Sequence, residues 1–203
     1  MGRIVLSDNT SLDGVIEDPA GDEGFDRGGW VGLIKDRPEL GALALDEARR
    51  SSAMLMGRRT YEWFAARWPS RDGELADLLN GKPKYVVSAT LKERAWANTT
   101  VLTGDLLDEA TRLRRELEGD IVVPASASIA RTLIQHDLVD ELRLKVFPIV
   151  LGAGERLFGP TTTAKPFRLV DVATLDGDTT YLRYERRPIG NDERLATDEG
   201  DGR

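Results

Sequence analysis

Short apolar segments alternate with amphipathic segments along most of this 203-residue chain. The apolar segments predict strands at residues 3–8, 53–57, 84–88, 99–103 and 120–123. Apolar residues at spacings of three and four predict helices at residues 39–51, 59–66, 73–80, 105–118 and 128–135. Because strands and helices alternate, we expect an α/β protein with a largely parallel sheet covered on both faces.

The last part of the chain has a different pattern. Residues 141–150 predict a long strand, and residues 167–174 and 179–186 predict an antiparallel pair that turns at Asp176-Gly177-Asp178. Residues 9–38 are rich in Gly, Asp and Pro, which predicts a long loop with little regular structure. We therefore expect one domain over residues 1–187, followed by a disordered acidic tail at 188–203.

The composition excludes several classes of function. The net charge is -7 without a basic stripe, so a nucleic-acid partner is not expected. The chain has no cysteine, and its one histidine, His136, stands at a predicted helix end, so a metal site is not expected. No apolar run is long enough to span a membrane, and no secretory signal is visible, so we expect a cytoplasmic protein.

The first chemical signal is a strand that ends at Gly57 and leads directly into a helix through Arg58, Arg59 and Thr60. The free N–H groups of a helix start attract phosphate, and glycine allows close approach to the backbone. Two guanidinium groups and a hydroxyl add charge-assisted donors, which suits a pyrophosphate or a 2′-phosphate. The alternative is a solvated arginine pair on a helix surface.

A second junction of this kind joins the strand at residues 120–123 to the next helix through Ala125, Ser126, Ala127 and Ser128. The small residues permit close approach of a ligand, although Ser126 or Ser128 as a plain helix cap is the alternative. Both junctions follow the C-terminal ends of strands, where open α/β sheets bind ligands. The polar segment 7–16 after the first strand is either an active-site lid or a simple loop with Asp13-Gly14 as its turn.

These segments together resemble a known family. Residues 11–16, 55–61, 84–88 and 138–158 are similar, in the same order, to the dihydrofolate-reductase-like family that includes the reductase domain at the C-terminus of riboflavin biosynthesis (RibD) proteins. The resemblance covers nearly everything from residue 3 to about residue 186. It implies a three-layer αβα fold, whose sheet is mostly parallel with a C-terminal antiparallel hairpin.

The resemblance also implies NADPH as the cofactor, and a homodimer. It assigns the phosphates to Gly57, Arg58, Arg59 and Thr60, the adenosine side to Ser88, Ala89 and Thr90, and the region under the pyrophosphate to Ala125, Ser126, Ala127 and Ser128. It places Asn9 and Ile16 beside the nicotinamide, Asp13 as the catalytic residue, and Trp30 and Asp36 at the substrate. For a dimer contact, the sequence offers only the apolar strand near residues 142–150.

Two departures from the family pattern bear on function. The family usually has glycine where this chain has Pro124-Ala125-Ser126, and alanine in a left-handed conformation costs roughly 1–2 kcal/mol. Dihydrofolate reductases carry an acid five positions after a tryptophan, but here Lys35 follows Trp30 at that spacing. The leading hypothesis is a reductase of a small heterocyclic or phosphoribosylated substrate, similar to 5-amino-6-(5-phosphoribosylamino)uracil reductase. The alternatives are a non-catalytic nucleotide-binding homologue and a dihydrofolate reductase.

Overall fold

The computed structural model describes residues 1–33 and 36–187, and eight strands in this part form one sheet. The strands are β1 (Arg3–Ser11), β2 (Ser51–Gly57), β3 (Lys84–Val87), β4 (Thr99–Leu102), β5 (Asp120–Pro124), β6 (Glu141–Phe147), β7 (Phe167–Leu175) and β8 (Thr179–Arg186). Their order in the sheet is β4-β3-β2-β5-β1-β6-β8-β7. The first six strands pair in parallel, whereas β8 pairs antiparallel with both β6 and β7, which confirms the predicted mixed sheet.

Helices cover both faces of this sheet. They are α1 (Pro38–Arg50), α2 (Arg58–Ala65), α3 (Glu74–Gly81), α4 (Leu106–Glu116) and α5 (Ala127–Gln135). Side chains alternate between the faces along β2: Ala53 and Leu55 pack in the core with α4 and α5, whereas Met54 and Met56 pack with α2 and α3. The predicted three-layer αβα architecture is therefore confirmed.

The central strand β1 determines where the ends of its neighbours meet. Residues 3–7 of β1 pair with β5, and residues 5–11 pair with β6. β5 in turn pairs with β2. Because these strands are parallel, β1, β2 and β5 end at the same edge of the sheet. The two predicted junctions, after Gly57 and after Pro124, therefore lie beside the segment that leaves β1.

The expected loop at residues 9–38 has more regular structure than predicted. β1 continues through Ser11, because its backbone pairs with β6 although Asn9, Thr10 and Ser11 are polar. A short 3-10 helix covers Trp30–Leu33. Trp30 is 2% exposed and packs edge-on against Phe147, which accounts for an ordered turn in a glycine-rich segment.

β6 is shorter and more central than expected. It ends at Phe147, since Pro148 has no N–H to continue the ladder. It lies between β1 and β8, so both of its edges are paired within the sheet. The contribution of residues 142–150 to a dimer contact stays a prediction. The homodimer itself stays a prediction.

Some predictions fall on residues outside the described part. Lys35 and the acidic tail at 188–203 are among these. Within residues 1–33 and 36–187, no helix is both long and apolar enough to span a membrane. No cluster of three or more His, Cys, Asp or Glu residues arranged to hold a metal occurs in that same part.

The predicted turn between β7 and β8 also fixes the start of α1. Asp176 and Gly177 have φ of 51° and 84°, and the Asp178 N–H donates to the Leu175 carbonyl. The Asp176 carboxylate accepts the N–H groups of Glu39 and Leu40 at 3.0 and 3.1 Å. One side chain thus caps a helix that lies far away in sequence.

We predict that Asp176→Ala lowers the melting temperature. The change removes a cap that contributes about 0.5–2 kcal/mol and places alanine in a left-handed conformation that costs about 1–2 kcal/mol. A loss of about 2 kcal/mol corresponds to roughly 4–8 °C for a chain of this size. Asp176→Asn is the matched control, because asparagine tolerates positive φ and keeps an acceptor oxygen. Equal melting temperatures for Asp176→Ala and wild type would contradict the capping role.

Candidate functional site

A cleft of about 360 Å³ opens at the sheet edge where β1, β2 and β5 end. It is lined by Asp8, Asn9, Ile16, Glu17, Asp18, Pro19, Glu23, Gly57, Arg58, Arg59, Thr60, Trp63, Phe64, Ala125, Ser126, Ala127, Ser128 and Glu155. The structure thus brings together Asn9, Ile16 and both predicted junctions.

A chain of hydrogen bonds joins the two junctions. The Gly57 N–H donates to Ser126 Oγ at 3.2 Å, and Ser126 Oγ donates to Thr60 Oγ1 at 2.8 Å. Thr60 Oγ1 donates to the Ala125 carbonyl at 3.2 Å. These contacts hold the start of α2 against the start of α5. We call this pair of linked helix starts the cradle.

At both helix starts in the cradle, the N-cap residue makes no side-chain hydrogen bond to the first turn. Among the described residues, the one side chain that accepts an N–H there is Ser126, which accepts the N–H of the N-cap residue Gly57. The starts of α1 and α4 are capped by Asp176 and Asp105, whereas the N-cap residue of α3, outside the cleft, also makes no side-chain hydrogen bond. The alternative that Ser126 or Ser128 simply caps α5 is therefore wrong. The first N–H groups of α2 and α5 lie at the cleft wall, where an anion can accept their hydrogen bonds.

The two arginines lie at the cleft beside α2, and each is paired with a carboxylate. Arg58 Nε donates to Glu62 at 2.8 Å, and a second nitrogen of its guanidinium donates to Thr90 Oγ1 at 2.9 Å. Arg59 contacts Glu23 at 2.7 Å. Their side chains are 50% and 67% exposed, so both remain accessible to a ligand.

The segment predicted for the adenosine side lies next to Arg58 and outside the cleft lining. Ser88 Oγ accepts the N–H groups of Thr90 and Leu91 at 3.1 and 2.9 Å, which fixes the turn after β3. Through Thr90 this turn is in contact with the guanidinium of Arg58. Ala89 is an exposed residue of the same turn.

Ala125 adopts the left-handed conformation, with φ of 44°. The sequence suggested backbone strain here, because the family usually has glycine at this place, and the strain is present. It costs about 1–2 kcal/mol and lies at the bridge between the two helix starts. The Ala125 carbonyl accepts the Thr60 hydroxyl, so the strained residue belongs to the cradle itself.

Asp8 is a functional candidate that the sequence reasoning missed. It lies near the C-terminal end of β1, lines the cleft and is 8% exposed. Among the residues that the structure describes, Asn9 alone donates a hydrogen bond to its carboxyl group, through its N–H at 2.9 Å. Burial raises the pKa of Asp8 to about 7, against the opposing effect of the Lys145 charge. The signal in the sequence was an acid two residues after the apolar strand segment 4–6.

Comparison with known proteins agrees with this arrangement. Residues 3–181 match the RibD C-terminal domain family. The chain belongs to this family.

Individual relatives support the assignment. The uncharacterized protein YyaP of Bacillus subtilis (strain 168) is 29% identical over 188 residues, which are 90% of this chain and 94% of YyaP. A putative riboflavin biosynthesis protein from Shewanella sp. PV-4 is 25% identical with a TM-score of 0.72, and the match covers 92% of this chain and 99% of that one.

A dihydrofolate reductase from Enterococcus faecalis, solved with NADP(H), has a TM-score of 0.55 at 15% identity and matches 91% of this chain and 96% of its own. At this identity the likeness concerns the fold alone. The predicted dihydrofolate-reductase-like fold and the resemblance to RibD proteins are both confirmed.

In this member of the RibD C-terminal domain family, Asp13 lies outside the cleft lining and holds two loops together. Its carboxylate accepts Ser11 Oγ at 2.7 Å and the N–H groups of Leu151 and Gly152 at 3.0 and 2.8 Å. The hydrogen bond from Leu151, followed by the one from Ser11, lowers the pKa of Asp13 to about 2. These hydrogen bonds favour the ionised form of Asp13, and its catalytic role stays a prediction.

The two residues predicted at the substrate also lie outside the cleft lining. Trp30 is buried in the core, and its ring N–H donates to the Glu17 carbonyl at 2.9 Å. Asp36 is exposed, with φ of 57°, just before α1. The segment that reaches over the cleft is instead residues 17–23, because Asp22 accepts the Trp63 ring N–H at 2.9 Å and Glu23 pairs with Arg59.

We predict that Ala125→Gly raises the free energy of unfolding by about 0.5–1 kcal/mol. Relief of the left-handed strain exceeds the extra conformational entropy that glycine loses on folding, which is about 0.5–1 kcal/mol. Ala44→Gly, at an exposed position in the interior of α1, is the matched control and should destabilise by about 1 kcal/mol. Urea unfolding of both variants measures the difference. Destabilisation by Ala125→Gly of the same size as in the control would contradict the strain.

We also predict that Asp8 makes stability depend on pH. Its folded-state pKa of about 7 exceeds the ordinary 3.8, so the folded state binds the extra proton between these values. Stability therefore falls as pH rises through this window, by up to about 1.4 kcal/mol per pH unit. Asp8→Asn should remove this slope in urea unfolding, whereas the exposed control Asp108→Asn should keep it. An unchanged slope in Asp8→Asn would mean that Asp8 is not the buried acid.

Proposed function

We propose that the protein is an NADPH-dependent reductase whose cleft holds the dinucleotide against the cradle. The observation that carries this proposal is the pair of helix starts that Ser126 links in one cleft, at Arg58 and Arg59, where no described side chain accepts the N–H groups of residues 58–60 and 127–129. Helix N–H groups and guanidinium groups both favour phosphate oxygens. Asp8 lines the same cleft and can exchange a proton near neutral pH.

The cradle has room for an anion at Gly57. A Cβ added to this glycine would first meet Ile129 Cδ1 at 3.6 Å, which is ordinary contact, and its φ of -79° suits any residue. Neither backbone conformation nor packing therefore requires glycine here. Because Gly57 has no side chain, the space between the two helix starts stays open, which allows a pyrophosphate to approach the backbone closely.

The remaining roles follow from this placement. Arg58, Arg59 and Thr60 would bind phosphate oxygens, with the turn from Ser88 through Ala89 to Thr90 on the adenosine side. Asn9 and Ile16, at the β1 end of the cleft, would flank the nicotinamide. Arg59 would exchange Glu23 for a phosphate, so cofactor binding would loosen the segment 17–23 from α2.

When bound, NADPH supplies a hydride. We assign the accompanying proton to Asp8, because its carboxyl group lines the cleft and burial raises its pKa to about 7. Burial keeps the neutral form stable, and the nearby charge of Lys145 limits the shift. The walls of the cleft orient the substrate beside this carboxyl group and reduce its contact with water.

The comparisons support this proposal. The family match covers most of the chain, and the dihydrofolate reductase that shares the fold was solved with NADP(H). The backbone strain at Ala125 favours a second candidate, a non-catalytic nucleotide-binding homologue, since a strained cradle can bind the cofactor less tightly. The two candidates differ in turnover: the reductase oxidises NADPH when given a reducible heterocycle, and the binding protein does not.

We predict tight NADPH binding that depends on Arg59. Calorimetric titration should show NADPH binding at least about 10-fold tighter than NADH, because one charged hydrogen bond contributes about 1.5–3 kcal/mol. Arg59→Ala should remove most of this preference, and Gly57→Ala should weaken both nucleotides without lowering the melting temperature. Arg115→Ala, which removes an exposed arginine from α4, is the control of equal charge. Failure of both nucleotides to bind wild type would end the proposal.

We further predict that the rate of NADPH oxidation falls as pH rises through about 7, because the proton donor Asp8 is then ionised. Asp8→Asn should slow turnover and abolish this dependence, whereas Asp13→Asn should keep it. A pH profile of wild type that Asp8→Asn leaves unchanged would assign the proton to another group.

A further inference from the structure

The cleft is divided by charge. Among residues 1–33 and 36–187, its lining contains two cations, Arg58 and Arg59, both at the start of α2. Five carboxyl groups line the same cleft: those of Asp8, Glu17, Asp18, Glu23 and Glu155. Glu23 pairs with Arg59, and Glu155 pairs with Arg131, which lies outside the lining. Four of the five, all but Glu23, belong to β1, to the loop after it and to the loop after β6. We call this region the acidic end.

Other nearby cations are already engaged. Lys145 lies opposite Asn9 on β6 and is 9% exposed. Its Nζ donates to Ser7 Oγ at 2.6 Å and lies 3.4 Å from the Glu47 carboxylate. Arg131 pairs with Glu155 at 3.2 Å and donates to the Arg156 carbonyl. Both are outside the cleft lining, so neither offers a free guanidinium or ammonium group to a ligand there.

The acidic end instead offers acceptor oxygens. Asp8 is more than nine-tenths buried, lines the cleft and receives only the Asn9 N–H from the described residues. One oxygen of Glu17 accepts the Glu155 N–H at 2.7 Å, which leaves its second oxygen available. Asp18 is enclosed by the N–H groups of its own loop, so it adds negative charge without open acceptors. A phosphate placed here would meet like charges and lose hydration without gaining a cationic partner from the lining.

We propose that the acidic end binds a nitrogen heterocycle that carries no phosphate, is neutral or cationic, and presents N–H donors to Asp8. The inference rests on the proposed function, because that function gives both arginines to the cofactor. The sequence left two substrate classes open, a small heterocycle and a phosphoribosylated compound. The charge of the acidic end favours the small heterocycle. Asp8 is then both the recognition group for the ring and the group that holds the proton beside it.

The test compares two ring compounds of opposite charge in the complex with NADP⁺. The probes are 2-aminobenzimidazole, a basic ring with several N–H donors, and benzimidazole-5-carboxylate, an anion of similar shape. Calorimetric titration at neutral pH should show the basic ring binding at least about 10-fold tighter, as expected for one charged hydrogen bond. Asp8→Asn should lower its affinity at least about 10-fold, and Asp108→Asn should leave it unchanged.

The outcomes separate this inference from the proposed function. Equal or tighter binding of the carboxylate, no binding of 2-aminobenzimidazole at millimolar concentration, or an unchanged affinity in Asp8→Asn would overturn it. The same titrations without nucleotide are the second arm. If NADP⁺ fails to bind but the Asp8-dependent preference for the basic ring persists, the proposed function is wrong and the inference about the acidic end is supported. If NADP⁺ binds and the preference is absent, only the acidic end fails.

Discussion

The parallel pairing of β1 with β5, and of β5 with β2, is the constraint on which the rest of the site depends. It brings the ends of three strands to one edge, so that two helices begin side by side and the chain leaves β1 between them and β6. The hydroxyl of Ser126 then holds the starts of α2 and α5 together, because it accepts a hydrogen bond from the Gly57 N–H and donates one to the Thr60 hydroxyl. Backbone dipoles and arginines on one side, and a buried acid on the other, follow from that single alignment.

The two ends of the cleft perform opposite electrostatic tasks. At the cradle, N–H groups and guanidinium groups favour negative charge, and the strained Ala125 keeps a carbonyl turned toward Thr60. At the β1 end, a carboxyl group with little hydrogen bonding lies where water is scarce, and burial brings its pKa close to neutrality. A dinucleotide with phosphates at one end and an uncharged reactive ring at the other fits this division of charge. The same division of charge disfavours an anionic substrate at the β1 end of the cleft.

Much of the fold was predictable, because apolar periodicity reports on local structure. The strands and helices after residue 50 lie within a few residues of their predicted positions, and both junctions meet in one cleft. The errors concern interactions distant in sequence. Polar residues at the end of β1 gave no strand signal, yet β6 pairs with them. The contacts of Asp13 with Leu151 and Gly152 were not predictable for the same reason, and its catalytic role stays a prediction. Asp8 was overlooked because its pKa depends on burial, which no local pattern reveals.

A crystal structure of the protein with NADP⁺ tests the central claim most directly. The account predicts the pyrophosphate between the starts of α2 and α5, the 2′-phosphate within hydrogen-bond distance of Arg58 or Arg59, and the nicotinamide at the β1 end beside Asn9 and Asp8. Glu23 should then have released Arg59. A nucleotide bound elsewhere, or one bound in the reverse direction with its nicotinamide at the arginines, would contradict it.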